Sequence, residues 1–290
     1  MTLPWLRPAW EAPRGVHAAF TLRSGGVSAP PWDSLNLGRH VGDDPRAVAI
    51  NRQRVVQGLA LPAEPCWLEQ VHGNEVYEVV AAPRAEAAPP PRADAAVTRQ
   101  SGVVLAIQVA DCLPVLLAAE DGSVLGAAHA GWRGLVGGVI EQTVATMGAP
   151  PERLVAWLGP CIGPERFEVG AEVREAFLTA GDAPEAFRES PAGRWLCDLP
   201  AIARARLQRL GVGRVAGWLV HRRRPRAVLL APARSVDRTH GCNTLARSLI
   251  LLCYIITHEL IDHDPAGHSL GRSLERAGGG AFPAAAESDP

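Results

Sequence analysis

Runs of apolar residues, interrupted by turn residues, predict several strands and a helix in the first part of the chain. Residues 17–21 have a strand pattern and lead into a loop rich in Gly, Pro and Ser at 24–36. Asp43, Asp44 and Pro45 then form a helix start, and the apolar positions that follow, Val48, Val55, Val56 and Leu59, recur at helical spacing. A further strand is predicted over 76–80, before the Pro- and Ala-rich loop at 81–92.

The central part of the chain is more apolar still. Residues 102–119 are nearly all apolar except at Asp111, Cys112 and Pro114, so we predict two buried strands that meet at a polar junction. Strands are also predicted at 124–128 and 154–158, and helices at 135–147, 171–180 and 198–210. Strands and helices alternate without a repeating period. We therefore predict a single α+β domain with mixed β-sheets packed by helices.

Composition excludes several classes of function. Of the 290 residues, 47% are apolar and 20% charged, and the net charge is −1, so nothing favours binding to nucleic acid or to a membrane. All 29 basic residues are arginine. Six irregularly spaced cysteines do not form a secreted disulfide pattern, and no signal peptide precedes the domain. The longest apolar run is about half of what a bilayer requires, so we expect a cytoplasmic protein.

Three short segments each place one strong metal ligand at a predicted strand end or turn: His72, Cys112 and His129. Two imidazoles and one thiolate suit zinc, and three protein ligands with a free fourth position are typical of a catalytic zinc site. Each residue also has an ordinary interpretation, the histidines as core or loop residues and Cys112 as a small buried apolar residue. Asp111, beside Cys112, is a candidate for the carboxylate that orients a ligating histidine.

Two arginines lie in glycine-containing turns. Arg133 follows His129 closely, and Arg23 opens the glycine-rich segment 23–28. Either could hold a phosphate group or be an ordinary surface arginine. The 23–28 segment is not a P-loop, because it lacks the GxxxxGK[ST] pattern and precedes no helix. The Pro160-Cys161 pair lacks the second cysteine and the His-x-Glu partner of nucleobase deaminases, so that family is excluded.

Taken together, eight motifs resemble the laccase-domain family of the YfiH type, whose members were once called polyphenol oxidases and are now regarded as purine nucleoside phosphorylases. The resemblance spans about residues 15–217, and the motifs occur in the family's order. They are TLRSGGVS (21–28), SLNLG (34–38), HVGDD (40–44), QVHG (70–73), ADA (93–95), ADCLP (110–114), AHAGWRG (128–134) and GPCIG (159–163).

The resemblance implies a YfiH-like fold and a Zn²⁺ site formed by His72, Cys112 and His129, which would also be the catalytic residues. It implies phosphorolysis of adenosine, inosine and methylthioadenosine to the base and ribose-1-phosphate, with hydrolytic deamination of adenosine as a second activity. Purine nucleosides and phosphate are then the partners, and Arg23 and Arg133 are our hypotheses for the phosphate. Two alternatives stay open: a copper-dependent polyphenol oxidase, since Cys and His also bind copper, and a non-enzymatic, metal-stabilised interaction domain.

The C-terminal part departs from the family. We assign residues 12–217 to the family domain and 218–290 to an atypical C-terminal tail, partly disordered by composition at 276–290. Family members end with a Cys-Thr pair, a Phe-Phe-Ser-His/Tyr-Arg-Arg-Asp segment and Thr-Gly-Arg. One permitted choice of codons for residues 220–241, read one base later, encodes Cys-Thr-Ala-Asp-Asp-Pro-Ala-Arg-Phe-Phe-Ser-His-Arg-Arg-Asp-Arg-Ser-Thr-Gly-Arg-Met. The arginine cluster at 222–224 is then a product of translation in the wrong frame, and the segment that completes the sheet is lost.

This observation predicts that the reading frame slips near residues 217–220. Sequencing the gene should show one inserted or deleted base there whose correction restores the family ending. If no single-base change near those codons restores it, the tail is a genuine divergent C-terminus.

Overall fold

A computed structural model describes residues 3–83 and 89–217, and the backbone of 251–257. The strands are β1 (Trp5–Leu6), β2 (Val16–Thr21), β3 (Val76–Val79), β4 (Ala95–Thr98), β5 (Leu105–Val109), β6 (Leu113–Ala119), β7 (Leu125–Ala130), β8 (Leu154–Leu158), β9 (Glu168–Val169), β10 (Phe187–Glu189), β11 (Trp195–Cys197), β12 (Arg214–Gly217) and β13 (Leu251–Thr257). The helices are α1 (Pro45–Gly58), α2 (Trp132–Val136), α3 (Val139–Met147), α4 (Ala171–Thr179) and α5 (Leu199–Arg209). Within these described ranges no helix has the length and apolar character needed to cross a bilayer.

Hydrophobic periodicity located most of the predicted elements to within a residue or two. Helix α1 begins as its sequence predicts: the Asp44 carboxylate accepts a hydrogen bond from the Arg46 N–H at 2.9 Å, and Pro45 occupies the first turn. The 102–119 run does form two strands, β5 and β6, separated by a short polar turn. The prediction of one α+β domain with mixed sheets is confirmed.

The domain is built in four layers. A six-stranded sheet, in the order β12-β8-β6-β7-β4-β3, packs one face against α3 and α5 and the other against a four-stranded sheet, β1-β2-β13-β5. Helix α1 covers the far side of the four-stranded sheet through Val55 and Leu59. Apolar burial on both faces explains why β6, β7 and β8 are buried at every position. A small third sheet, β10-β11-β9, lies beside α4.

Strand direction places four chain segments at the same end of the strands of the six-stranded sheet. Strand β7 runs antiparallel to both β6 and β4, and β3 runs parallel to β4. The carboxyl end of β7 therefore lies beside the beginnings of β6, β4 and β3. The pairing of Pro114 with His129, of Ala95 with Ala128 and of Val76 with Ala95 fixes this alignment.

Two local predictions are wrong. The continuous helix expected over 135–147 is divided into α2 and α3 because Gly138 adopts a positive φ of 86°, a conformation that ends one helix before the next begins. Pro114 was expected outside the strand ladder, but it is the second residue of β6. A proline is tolerated so near a strand start, and its carbonyl oxygen still accepts the Gly159 N–H at 2.9 Å.

The C-terminal assignment is described only in part, since residues 218–250 and 258–290 lie outside the described ranges and include the arginine cluster. The backbone of β13, from the segment assigned to the tail, pairs antiparallel with both β2 and β5. A strand from this segment thus completes the four-stranded sheet, which we had expected to lack one.

A buried ion pair anchors α5. The Arg206 guanidinium binds the carboxylate of Asp182 through two nitrogens and reaches Glu141 of α3 at 3.1 Å. The Arg206 and Asp182 side chains are 4% and 1% exposed, whereas Arg209, which binds the same aspartate at 2.9 Å, is 48% exposed. A carboxylate so deeply buried depends on its buried partner more than on its exposed one.

We expect Arg206→Ala to lower the free energy of unfolding by about 3–5 kcal/mol, because it leaves buried charge without its main partner. The matched Arg209→Ala change should cost about 1 kcal/mol or less, because water already screens that pair. Urea denaturation of the two variants measures both values. Equal losses would contradict the role assigned to burial.

Candidate metal centre

His72, Cys112 and His129 meet at the end of the six-stranded sheet where β7 finishes and β6, β4 and β3 begin. His72 lies in the turn before β3, Cys112 immediately precedes β6, and His129 is the penultimate residue of β7. One ligand atom from each lies within 4.8 Å of the others. Cys112 Sγ is 3.9 Å from His72 Nε2, and the two imidazole rings are 4.8 Å apart in an edge-on arrangement. His129 is buried, while His72 and Cys112 are half-buried, so the cluster opens on their side.

Asp94, the residue before β4, lies behind this cluster with no solvent exposure. Its Oδ1 is 2.8 Å from His129 Nδ1 and accepts the His72 N–H at 2.9 Å. Its Oδ2 accepts the N–H groups of Val71 at 3.1 Å and Gly73 at 2.7 Å. The backbone of His129 is held as well, because its N–H donates to the Asp94 carbonyl oxygen at 2.7 Å.

The backbone of His72 has a conformation that side-chain-bearing residues rarely adopt. Its φ is +61°, in the left-handed region. This conformation turns three successive N–H groups, those of residues 71–73, toward one carboxylate. The hydrogen bonds stabilise a local geometry that is otherwise unfavourable and that directs the His72 ring toward Cys112.

Charges within the cluster reinforce one another. Burial alone raises the pKa of the Cys112 thiol, but the neighbouring His129 and His72 outweigh burial and lower it, which favours the thiolate. Burial lowers the pKa of His129, and the negative charges of Cys112 and Asp94 outweigh that effect and raise it. Burial also disfavours the charged form of Asp94, yet His129 and the backbone N–H groups of Gly73 and Val71 lower its pKa, so the carboxylate is ionised.

The donor set and the one separation of ligand atoms between Cys112 and His72 are compatible with a zinc ion. Two ligands bound about 2.1 Å and 2.3 Å from one zinc at tetrahedral angles lie about 3.6 Å apart, close to the 3.9 Å between Cys112 Sγ and His72 Nε2. Since His129 Nδ1 is committed to Asp94, its Nε2 is the nitrogen left for a metal. Within residues 3–83 and 89–217, no other set of three or more His, Cys, Asp or Glu residues brings its ligand atoms this close together.

Gly131 leaves the space that the ligands occupy. A Cβ atom at this position would lie 2.9 Å from Cys112 Sγ and 3.2 Å from His72 Cδ2. Its own φ of −63° suits any residue, so close approach alone requires glycine here. The glycine that follows His129 is therefore part of the site's packing and not a device for a turn.

Comparison with known proteins shows which family the chain resembles. The family described as multi-copper polyphenol oxidoreductase laccase matches residues 17–219 of the chain. The chain belongs to this family. Its relatives in the family include the purine nucleoside phosphorylase YfiH of Escherichia coli strain K12, 47% identical over 210 residues that cover 72% of this chain and 85% of the relative. A purine nucleoside phosphorylase of Pseudomonas aeruginosa is 50% identical over 215 residues, covering 73% and 86%.

Solved structures of similar proteins have the same fold. A Neisseria meningitidis protein is 39% identical, with a TM-score of 0.71 over 88% of this chain and 99% of its own. The protein YlmD of Geobacillus stearothermophilus is 29% identical, with a TM-score of 0.74 over 88% of this chain and 96% of its own. Both support the YfiH-like architecture.

The two arginines predicted to bind phosphate have different surroundings. Arg23 donates to the Asp33 carbonyl oxygen at 3.0 Å and pairs with the Asp33 carboxylate at 3.2 Å. Arg133, on α2, is exposed, and its guanidinium lies 4.4 Å from the centre of the Trp132 ring. Neither contact tests phosphate binding, so the phosphate role of both arginines stays a prediction.

The carboxylate that contacts His129 is Asp94, which was not singled out from the sequence. Asp111 was the candidate for orienting a histidine, and that role stays a prediction. The Asp111 carbonyl oxygen accepts the Ile162 N–H at 2.9 Å. One signal was available: Asp94 is an acid at the start of an apolar segment, and such an acid needs a partner if the segment is buried.

His40 is a second residue that was not singled out. Partial burial lowers the pKa of its imidazole, and the positive charges of Arg52, His72 and His129 lower it further, against the opposing effect of Glu69. His40 therefore lies within electrostatic reach of the two ligand histidines and is exposed enough to meet a small molecule.

We expect Gly131→Ala to weaken zinc binding by about tenfold or more, because its methyl group overlaps two ligand side chains. Gly163→Ala is the matched control, since a Cβ there meets no atom within 4 Å and zinc affinity should be unchanged. Competition with a chromophoric chelator measures both affinities. Wild-type affinity in Gly131→Ala would show that the ligands do not occupy the positions described.

Proposed function

We propose that this protein is a zinc-dependent purine nucleoside phosphorylase that converts adenosine, inosine or methylthioadenosine and phosphate to the free base and ribose-1-phosphate, with adenosine deamination as a second activity. The observation that carries the proposal is the three-ligand cluster of His72, Cys112 and His129, which is open on one side. The names of the relatives supply the reaction class: both the Escherichia coli and the Pseudomonas aeruginosa proteins are purine nucleoside phosphorylases.

The residues of the cluster favour a reactive rather than a purely structural ion. His129 is buried and fixed by Asp94, whereas His72 and Cys112 border the open side. Three ligands leave a fourth position, and an ion bound there supplies Lewis-acid chemistry toward a substrate or a water molecule. A closed structural site would instead need a fourth protein ligand, and none lies in the cluster among the described residues.

Phosphorolysis also needs a cation or N–H groups that hold phosphate in line with the ribose carbon. Arg133 is the best candidate for this role, because it is exposed and lies only four residues after His129 in the chain. Arg23 is the second candidate, although its guanidinium already pairs with Asp33. His40 is a further candidate for holding the nucleoside or phosphate, because it is exposed and lies within electrostatic reach of His72 and His129.

A copper-dependent polyphenol oxidase is the second candidate, because the matching family is described as a multi-copper laccase. Cysteine and histidine also suit copper. A multi-copper enzyme needs several metal ions, however, and residues 3–83 and 89–217 contain a single cluster of three ligands. The ligand count therefore favours the phosphorylase.

The test is incubation of the purified protein with inosine and phosphate, with hypoxanthine and ribose-1-phosphate as readouts. We expect activity that a chelator removes and zinc restores. Cys112→Ala should lower kcat/KM at least about 100-fold because it removes a metal ligand. Cys197→Ala is the matched control: that thiol is also buried, but in β11, with a pKa raised to about 12 by burial.

Parallel assays separate the alternatives. Adenosine without phosphate tests deamination through the appearance of inosine, and a phenol with copper-loaded protein tests oxidation. Phenol oxidation without phosphorolysis would replace the proposal with the copper enzyme. Unchanged phosphorolysis in metal-free protein, or in Cys112→Ala, would refute the catalytic role of the cluster.

A further inference from the structure

Asp94 makes several hydrogen bonds in the candidate metal centre and not only one to a single histidine. Its two oxygens lie within hydrogen-bond distance of four donors: Oδ1 of the His72 N–H and His129 Nδ1, and Oδ2 of the N–H groups of Val71 and Gly73. The side chain is fully buried, so water does not compete for either oxygen.

We propose that Asp94 is the positioning residue of the metal centre, and that its one carboxylate sets the ring of His129 and the loop that presents His72 at the same time. This inference deepens the proposed function, because it concerns the same metal site, but it makes a claim about metal binding that does not depend on which reaction follows.

The first part of the argument concerns the His129 ring. A carboxylate can only accept hydrogen bonds, so the 2.8 Å contact places a proton on Nδ1. A neutral imidazole carries one proton, which leaves the lone pair on Nε2, the nitrogen that faces the other ligands. Asp94 thereby selects which nitrogen binds the metal and fixes the direction of the ring.

The second part concerns the loop before β3. His72 has φ +61°, and the N–H groups of residues 71–73 all point to the Asp94 carboxylate. If the carboxylate is lost, these three N–H groups lose the acceptor that they share. The left-handed backbone of His72 then loses its main stabilisation. The position of His72 Nε2 relative to Cys112 then becomes variable.

An amide of the same shape cannot replace the carboxylate. Asparagine has one acceptor oxygen and one donor NH₂ group. If the oxygen faces His72 N–H and His129, the NH₂ group faces the donors of Val71 and Gly73. If the amide is reversed, its NH₂ group donates to His129 Nδ1, and the imidazole proton moves to Nε2, where it blocks metal binding. Either orientation loses one of the two functions.

The experiment compares Asp94→Asn with Asp182→Asn. Asp182 is a second buried carboxylate, and it forms an ion pair with Arg206 of α5. Chelator competition measures zinc affinity in both folded variants, and the visible spectrum of the cobalt-loaded proteins reports ligand geometry. We expect zinc binding 10- to 100-fold weaker and an altered cobalt spectrum in Asp94→Asn. The Asp182→Asn variant should bind zinc within about twofold of wild type, since its cost is to stability alone.

A measurement on the wild-type protein keeps the inference testable if Asp94→Asn does not fold. Proton–nitrogen NMR of zinc-loaded protein with labelled histidine, assigned with His129→Gln, should show His129 protonated at Nδ1 and metal-bound through Nε2. Coordination through Nδ1, or wild-type zinc affinity in a folded Asp94→Asn variant, would overturn the positioning role. Weak zinc binding in Asp94→Asn together with no phosphorolysis by the wild type would uphold it and refute the proposed reaction instead.

Discussion

A carboxylate without solvent exposure can remain in a protein core only if its charge and both its oxygens are satisfied. Asp94 meets that condition with donors from two separate parts of the chain, the turn before β3 and the end of β7. The same requirement that stabilises the buried charge therefore brings two candidate ligands together. Much of the surrounding architecture can be understood as what is needed to bury this one group.

The strand register of the sheet places the third candidate ligand. Because β6 runs antiparallel to β7 with Pro114 opposite His129, the residue two positions before Pro114 lies beside the end of β7. That residue is Cys112. The site is thus a product of strand register and of one buried carboxylate, and neither would be sufficient alone.

The sequence predicted the parts of this arrangement that depend on local pattern. His129 stands at the end of a predicted strand, Cys112 at a polar break in an apolar run, and His72 before a glycine just ahead of a predicted strand. The sequence marks Asp94 as an acid that needs a partner, but it does not show that this partner is His129. That choice depends on which strand starts lie beside β7, and pairing order is a long-range property.

Backbone details were equally beyond the local pattern. The apolar spacing over 135–147 is helical in both α2 and α3, and only the left-handed Gly138 divides them. Likewise, the positive φ of His72 follows from three hydrogen bonds to a residue more than twenty positions away. In both places the residue type permits the observed conformation, but tertiary contacts select it.

The position of β13 has a consequence for how the molecule is assembled. This strand lies between β2 and β5, which precede it by more than a hundred residues, and pairs with both through main-chain groups. As the chain leaves the ribosome, the strands of the six-stranded sheet and the three candidate ligands have all been synthesised by residue 217, whereas β2 and β5 must wait for β13. During that interval the edges of β2 and β5 that β13 later covers present unpaired main-chain groups, which is the condition under which an extended segment can add to a sheet.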